Sequence, residues 1–118
     1  MGTKEDVGKY GEDLVADQLT RAGWRIVARN WRCRDGELDM VAWEGEALVA
    51  VEVKTRRGSG YGNPVEAVTP AKASRLRRLL VRFMQDHDLH ATVVRIDVVG
   101  VLIPSGRPTI VDHIRSAC

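Results

Sequence analysis

The stretch GELDMVAWEGEALVAVEVKTRR (residues 36–57) decides the fold. Its first half, Glu37–Trp43, mixes apolar and charged residues with the two-residue period of a strand, and Ala47–Thr55 does the same. Between them lie Glu44 and Gly45, a short turn of the kind that joins two antiparallel strands. The sequence therefore predicts a β-hairpin at the centre of the domain.

Charged residues occupy this hairpin at positions where apolar ones are expected. Strict alternation places Glu37 and Asp39 on the same side as Val41, and it places Glu52 and Lys54 together on one side of the next strand. Pairing about the turn then brings Asp39 opposite Glu52, or within a residue or two of it. Buried charges are costly unless they are paired or bind a metal. Two interpretations stay open: a structural salt bridge made by Lys54, or a functional site.

The rest of the chain extends the hairpin to the order αβββαβ(β), an α/β sandwich that forms a single domain over residues 1–118. The glycine-rich segment RRGSGYGNP (residues 56–64) is predicted to be a mobile loop. The remaining predicted elements are a helix over Lys4–Ala22, strands over Trp24–Trp31, Ala91–Leu102 and Thr109–Ile114, and a second helix that follows Thr69 as N-cap, has Pro70 in its first turn and ends near His87.

Composition excludes several classes of protein. The chain has 118 residues, of which 44% are hydrophobic and 29% charged, as in an ordinary globular domain. Its N-terminus lacks a signal-like apolar segment, and no apolar run approaches the length of a membrane span, so we expect a cytoplasmic protein without a membrane partner. Cys33 and Cys118 are too far apart for a zinc cluster motif, and we expect both to be free thiols.

Positive charge is concentrated in one part of the chain. Eight Lys or Arg residues lie between positions 54 and 82, against the single acid Glu66. On the second helix, Arg75, Arg78 and Arg82 fall together on a face away from the apolar stripe. Such asymmetry favours a basic patch for a polyanion, and an ordinary solvated helix face is the alternative.

Two motifs in the hairpin carry a resemblance. Gly36-Glu37-Leu38-Asp39 is followed, thirteen positions after Asp39, by Glu52 in the stretch VEVKTR (residues 51–56), and the basic helix comes next. Here the chain resembles the PD-(D/E)XK nuclease superfamily, within it the small bacterial YraN-like proteins and, more distantly, archaeal Holliday junction resolvases. The resemblance covers nearly the whole chain and implies a restriction-endonuclease-like αβββαβ core, with a mixed sheet flanked by helices. Leu38 stands where the superfamily name has proline.

The resemblance implies a metal-dependent site. Asp39 and Glu52 would bind Mg²⁺ or Mn²⁺ together with the backbone carbonyl of Val53, and Lys54 would assist the attacking water. Divalent ions of this kind prefer hard oxygen ligands and activate both the phosphate and a bound water. The stretch Gly8-Lys9-Tyr10-Gly11-Glu12 looks like the family's glycine and glutamate signature, which makes Glu12 a further ligand.

Other residues are candidates with two interpretations each. Glu37 either contacts the metal or caps a turn, and Arg56 either holds a phosphate, as in the family's KxR extension, or is a surface arginine. Lys72 resembles a polar residue that these nucleases direct toward the site. Arg95 and Asp97 alternate with Val93 and Val99 on the last strong strand, and a mutual or cross-strand ion pair is expected of them. The predicted DNA-binding residues are Arg56, Arg57, Lys72, Arg75, Arg78 and Arg82.

Two functions remain open at this point. The first is an endonuclease that acts on branched or otherwise structured DNA in repair or recombination; the resolvase resemblance further implies a homodimer, because a junction has two-fold symmetry. The second is a non-catalytic nucleic-acid-binding or assembly protein that retains the nuclease fold. The complete set of Asp39, Glu52 and Lys54 favours the enzyme, because a degenerate binder has no physical need for it.

Overall fold

A computed structural model describes residues 2–58 and 68–117 of the chain. The order of its elements is the predicted αβββαβ(β), including the short last strand. The elements are α1 (Lys4–Arg21), β1 (Arg25–Cys33), β2 (Gly36–Glu44), β3 (Ala47–Arg57), α2 (Pro70–Asp86), β4 (Val93–Ile103) and β5 (Ile110–Ile114).

The strands form one mixed sheet in the order β1-β2-β3-β4-β5. The pair β3 and β4 is parallel, with α2 in the intervening chain, and the other three pairs are antiparallel. Both the predicted hairpin of β2 and β3 and the restriction-endonuclease-like mixed sheet are confirmed. Strand β3 is central, which is why its charged residues lie in a low-dielectric environment.

Helix α1 covers one face of the sheet. Val15 and Leu19 of the helix pack with Met40, Val49 and Val51 of the sheet in one buried cluster. The helix approaches β3 closely at Gly11, where a Cβ atom would lie 1.8 Å from Oγ1 and 2.9 Å from Cβ of Thr55. Glycine at this position therefore allows the contact that holds α1 against the strand of the candidate site.

Helix α2 covers the opposite face. Its N-cap is Thr69, whose side chain accepts a hydrogen bond from the Lys72 N–H, and Pro70 occupies the first turn as predicted. The buried residues of the predicted stripe, Leu76, Leu80 and Phe83, pack against the α2 face of the sheet.

Strict alternation along β2 is wrong, and the error lies at Asp39. Leu38 and Val41 both pack in the cluster under α2, although they are three positions apart, whereas Met40 packs under α1. The neighbouring strand β1 is irregular at the same level, where Asn30 has a φ of 53°, in the left-handed region that asparagine tolerates. Asp39 is thus not on the same regular face as Val41. Asp39 lies at the point along β2 where the alternation of side chains between the α1 side and the α2 side of the sheet is interrupted.

Three predictions concern the remaining chain. The glycine-rich loop falls mostly on residues 59–67, which lie outside the described residues, as does Cys118. Cys33 is a free thiol. No helix within residues 2–58 and 68–117 is long and apolar enough to cross a membrane.

Candidate active site

Asp39 lies where β2 and β3 separate. The last paired residues are Met40 and Val51, and beyond them the Asp39 carboxylate takes the place of a backbone partner by accepting a hydrogen bond from the Val53 N–H at 2.9 Å. The N–H and C=O groups of one strand residue point toward the same neighbouring strand. The carbonyl of Val53 therefore also faces the Asp39 side, as required of a backbone ligand next to this carboxylate.

Glu52 projects to the α2 side of the sheet. Its side chain is 17% exposed, and its Oε1 atom lies 3.2 Å from Nζ of Lys72 in the first turn of α2. Lys72 therefore lies next to Glu52, the acid that the resemblance proposes as a metal ligand. Glu52, Asp39 and Lys72 line one depression of about 220 Å³ between the sheet and α2, together with Arg75.

The two carboxylates are poorly stabilised as anions. Burial raises the pKa of Asp39 above its ordinary value, and the charge of Glu37 adds to the rise, while the Val53 N–H and the two lysines oppose it. Burial also raises the pKa of Glu52, the negative charge of Asp39 raises it further, and Lys72 opposes both effects. Partly buried acids with raised pKa values favour the binding of a cation, because a cation stabilises their charged forms.

Lys54 is half-buried, and the structure, over the residues that it describes, does not show the salt bridge that was one of its two interpretations. Within the described part of the chain its ammonium forms no ion pair, so the structural salt bridge of Lys54 with Glu52 or Asp39 is not found. Its charge nevertheless lowers the pKa of Asp39, which shows that the two groups lie near each other. The positive charge of Lys54 thus lies near the acids without forming an ion pair with a described residue.

Glu12 reaches the site from α1. It lines a depression of about 580 Å³ on the α1 side that also includes Asp39 and Glu37. Burial raises the pKa of Glu12, and the charge of Asp39 raises it further. The structure therefore brings Glu12 into the electrostatic field of Asp39, although only the resemblance had pointed to this residue.

Asn30 is a member of the site that sequence reasoning missed. It lines the same depression as Glu12, and a hydrogen bond from its side chain opposes the rise of the Glu12 pKa. The sequence feature that could have pointed to Asn30 is an asparagine inside a predicted strand, because asparagine frequently adopts the left-handed conformation seen here.

Glu37 occupies the rim rather than the centre. Its carboxylate is exposed and pairs with Arg32 at 2.9 Å, and it lines both depressions that contain Asp39. Its negative charge raises the pKa of Asp39 and, more weakly, that of Glu52.

The predicted basic residues separate into two groups. Arg75, Arg78 and Arg82 line a second depression of about 390 Å³ along α2. This depression adjoins the one that holds the acids, because Arg75 and Leu79 line both. Arg78 donates to Ser74, and Arg82 pairs with Asp86 at 3.3 Å.

The other group, Arg56 and Arg57, lies elsewhere. These arginines line a depression at the N-terminal end of α1, with Thr3, Lys4 and Thr55. The structure therefore does not bring them together with the arginines of α2, although they follow Lys54 directly in β3.

The donor set fits a hard divalent ion only loosely. In residues 2–58 and 68–117 no three His, Cys, Asp or Glu side chains converge as a ready-made metal-binding group. Instead there is a buried acid pair, Asp39 and Glu52, a backbone carbonyl on the same side and a third acid, Glu12, nearby. Magnesium keeps several water ligands and is commonly bound through one or two carboxylates, so this set is sufficient for it.

A second buried charge cluster lies on the α1 face of the same sheet, and it contains Asp97 of β4. Asp97 is 0% exposed and accepts hydrogen bonds from Arg95 at 2.8 Å, from His113 at 2.8 Å and from the Ser116 N–H at 3.0 Å. Arg95 also donates to Glu44. The ion pair predicted between Arg95 and Asp97 is confirmed, and this cluster will be called the Asp97 cluster.

The sheet, the two flanking helices and the acids beside Lys54 define a protein with the restriction-endonuclease-like fold of the PD-(D/E)XK nucleases. Comparison with known proteins narrows this class. The model of a protein family described as "Uncharacterised protein family UPF0102" matches residues 11–101 of the chain. The chain is 52% identical over 118 residues to a UPF0102 protein of Clavibacter michiganensis, which it covers completely, and 51% identical over 115 residues to one of Renibacterium salmoninarum, with 98% of each chain covered.

A UPF0102 protein of Streptomyces coelicolor is 50% identical over 117 residues, which are 98% of this chain and 90% of the relative. The chain belongs to the UPF0102 family, the YraN-like group of the nuclease superfamily.

Proposed function

We propose that this protein is a metal-dependent endonuclease that hydrolyses DNA phosphodiester bonds, on branched or otherwise structured DNA, in cytoplasmic repair or recombination. The observation that carries the proposal is the pair of partly buried acids, Asp39 and Glu52, which line one depression between the sheet and α2 and whose pKa values are raised by burial. Arrangements that shift the pKa of buried groups concentrate at functional sites.

The proposed cofactor is Mg²⁺ or Mn²⁺. Asp39, Glu52 and the carbonyl of Val53 would hold the ion, and Glu12 would add a ligand from the α1 side. When bound, such an ion polarises the scissile phosphate and lowers the pKa of a coordinated water. The raised pKa values of the two acids then fall, because a divalent cation stabilises both anions.

Lys54 supplies the remaining charge of the proposed reaction. Its ammonium lies near Asp39 and forms no ion pair with any described residue, so it is available to orient a water or to stabilise the negative charge that develops on the phosphate. A side chain that was already paired with Glu52 would serve this role less well.

The proposed DNA path follows α2. Because the depression of Arg75, Arg78 and Arg82 adjoins that of the acids, a phosphate backbone bound to the arginines would pass next to Asp39 and Glu52. Phosphate contacts of this kind position a nucleic acid without reading its sequence.

The cleavage test uses a panel of branched, flapped, duplex and single-stranded DNA with Mg²⁺ or Mn²⁺. We expect nicking by the natural protein and a loss of about 100-fold or more in Lys54→Ala, since removing one group that stabilises the transition state typically costs that much. Arg21→Ala is the matched control, because Arg21 is an exposed cation at the far end of α1 and pairs only with Asp17 in the described chain. Both variants should unfold at the temperature of the natural protein within a few degrees.

Survival of every DNA substrate with both metals would contradict the enzymatic proposal. If the same protein then bound DNA, the non-catalytic nucleic-acid-binding function would replace it. Equal cleavage by Lys54→Ala and the natural protein would remove Lys54 from the reaction.

The DNA path predicts a separate effect on binding. We expect Arg75→Ala and Arg78→Ala each to weaken DNA affinity by about threefold to tenfold and to reduce the slope of affinity against salt by about one, as for the loss of one phosphate contact. Fluorescence anisotropy over a series of salt concentrations measures both. Arg77→Ala is the control, because Arg77 is an exposed cation of the same helix that does not line the depression. Equal effects of all three substitutions would show that the arginines act through the overall charge of the protein and not through a specific DNA path.

A further inference from the structure

Two lysines lie near the acids, and they are used differently. Nζ of Lys72 is 3.2 Å from Oε1 of Glu52, whereas Lys54 forms no ion pair with a residue that the structure describes. The superfamily motif names Lys54, yet the cation that contacts a proposed metal ligand comes from α2.

The backbone of Lys72 is held firmly while its ammonium is not. Its N–H donates to the N-cap Thr69 at 3.1 Å, and the next residue, Ala73, is buried against the sheet. The Lys72 side chain is 38% exposed and therefore reaches Glu52 from the mouth of the depression. A long flexible side chain on a fixed backbone can leave its partner without a change in the fold.

The contact with Lys72 compensates the charge of Glu52 only in part. Glu52 is a mostly buried carboxylate next to a second one, Asp39, and a single ammonium on one of its oxygens is the only ion pair that the described residues provide for it. The same carboxylate belongs to the donor set proposed for the metal, and Lys72 and the two acids line one depression. An ammonium and a metal ion cannot both occupy the place in front of the same carboxylate oxygen.

We propose that Lys72 is the internal counter-cation of the metal-free site: its ammonium occupies the position in front of Glu52 and must leave when a divalent ion binds. Lys72 is then a positioning residue that sets the affinity for the metal. This inference rests on the proposed function, because it takes Asp39 and Glu52 as metal ligands. Partly exposed ion pairs are weak, so a divalent ion that contacts two carboxylates displaces the ammonium at a modest loss of affinity.

The test is calorimetric titration of Mn²⁺ into the DNA-free protein. We expect Lys72→Met to bind Mn²⁺ about threefold to tenfold more tightly than the natural protein, because the competing charge is gone while the aliphatic part of the side chain is kept. Lys72→Arg, which retains a cation, should bind within about twofold of the natural protein. Arg75→Met is the matched control: Arg75 lines the same depression and carries the same charge, but it forms no ion pair with Glu52 in the described chain, so its loss should change the affinity by less than about twofold.

The possible outcomes separate cleanly. Unchanged or weaker Mn²⁺ binding in Lys72→Met, or equal tightening in Arg75→Met, overturns the inference, and so does the absence of binding in every variant. Binding by Lys72→Met alone, without binding by the natural protein, supports it strongly. If Lys72→Met tightens Mn²⁺ binding while no DNA substrate is cleaved, the inference stands and the nuclease proposal falls.

Discussion

Two groups of buried acids lie on the same sheet, and their surroundings are opposite. On the α1 face, Asp97 is enclosed by donors from three sources, Arg95, His113 and the Ser116 N–H. Burial alone would raise its pKa, but these hydrogen bonds hold it well below its usual range. Asp39 and Glu52 are also largely buried, yet their pKa values are raised, first by burial and then by a neighbouring negative charge, that of Glu37 for Asp39 and that of Asp39 for Glu52.

The difference separates a structural charge cluster from the proposed metal site. The Asp97 cluster joins β2, β4 and β5, because Glu44 binds both Arg95 and Arg115, and both guanidinium groups lie over the Trp24 ring at 5.6 Å. Every charge there has its partner within the chain. In the described chain, only the Lys72 ammonium forms an ion pair with Asp39 or Glu52. Charges that are only partly compensated are typical of a ligand-binding site, whereas a structural cluster pairs its charges within the protein.

The largest effect is expected from neutralising the satisfied acid. Asp97→Asn keeps the shape of the side chain but leaves Arg95 and His113 without their anion, and we expect a loss of about 3 kcal/mol in the free energy of unfolding at pH 7. Because the pKa of Asp97 is depressed in the folded state, its contribution is present above the ordinary value of 3.8 and declines as the pH falls through and below it. Urea unfolding at several pH values measures this. A loss below about 1 kcal/mol at pH 7 would show that the cluster contributes little.

The opposite sign is expected from neutralising the unsatisfied acid. Glu52→Gln removes an anion whose pKa is raised in the folded state, so we expect a gain of about 1 kcal/mol at pH 7. In the natural protein, the free-energy cost of the charged Glu52 side chain in the folded state grows as the pH rises above 4.5, the ordinary pKa of a glutamate. The stability gained in Glu52→Gln should therefore vanish below that pH. The same urea experiment applies. A destabilised Glu52→Gln variant would mean that the ion pair with Lys72 outweighs burial, and would place Glu52 with Asp97 among the structural acids.

The sequence predicted the local features of both groups and missed the features that depend on distant chain. Thr69 as N-cap, the turn of the hairpin and the pair Arg95 and Asp97 are encoded within a few residues, and each is found. Glu44 lies 51 positions from Arg95, so no local pattern could have joined it to the Asp97 cluster. Lys72 and Glu52 are also far apart in sequence, so no local pattern links them, and only the family resemblance predicted that Lys72 lies near the site.

The candidate site shows a second limit, which is geometric. Period-two alternation correctly placed Glu52 on the face of Leu48 and Ala50, but it failed at Asp39. The irregular backbone at Asn30 and the hydrogen bond from the Val53 N–H both depend on a neighbouring strand, and together they let Asp39 face depressions on both sides of the sheet. Functional positions are where such departures from regular structure are expected.

The most direct test of this account is the shift of the unfolding temperature by millimolar Mn²⁺ in three proteins, the natural chain, Asp97→Asn and Glu52→Gln. A ligand that binds only the folded state raises its stability by an amount set by its concentration and affinity. We predict a clear rise for the natural chain, the same rise from a lower starting temperature for Asp97→Asn, and no rise for Glu52→Gln. The absence of a shift in the natural chain, or an equal shift in Glu52→Gln, would contradict the assignment of Asp39 and Glu52 as a metal site.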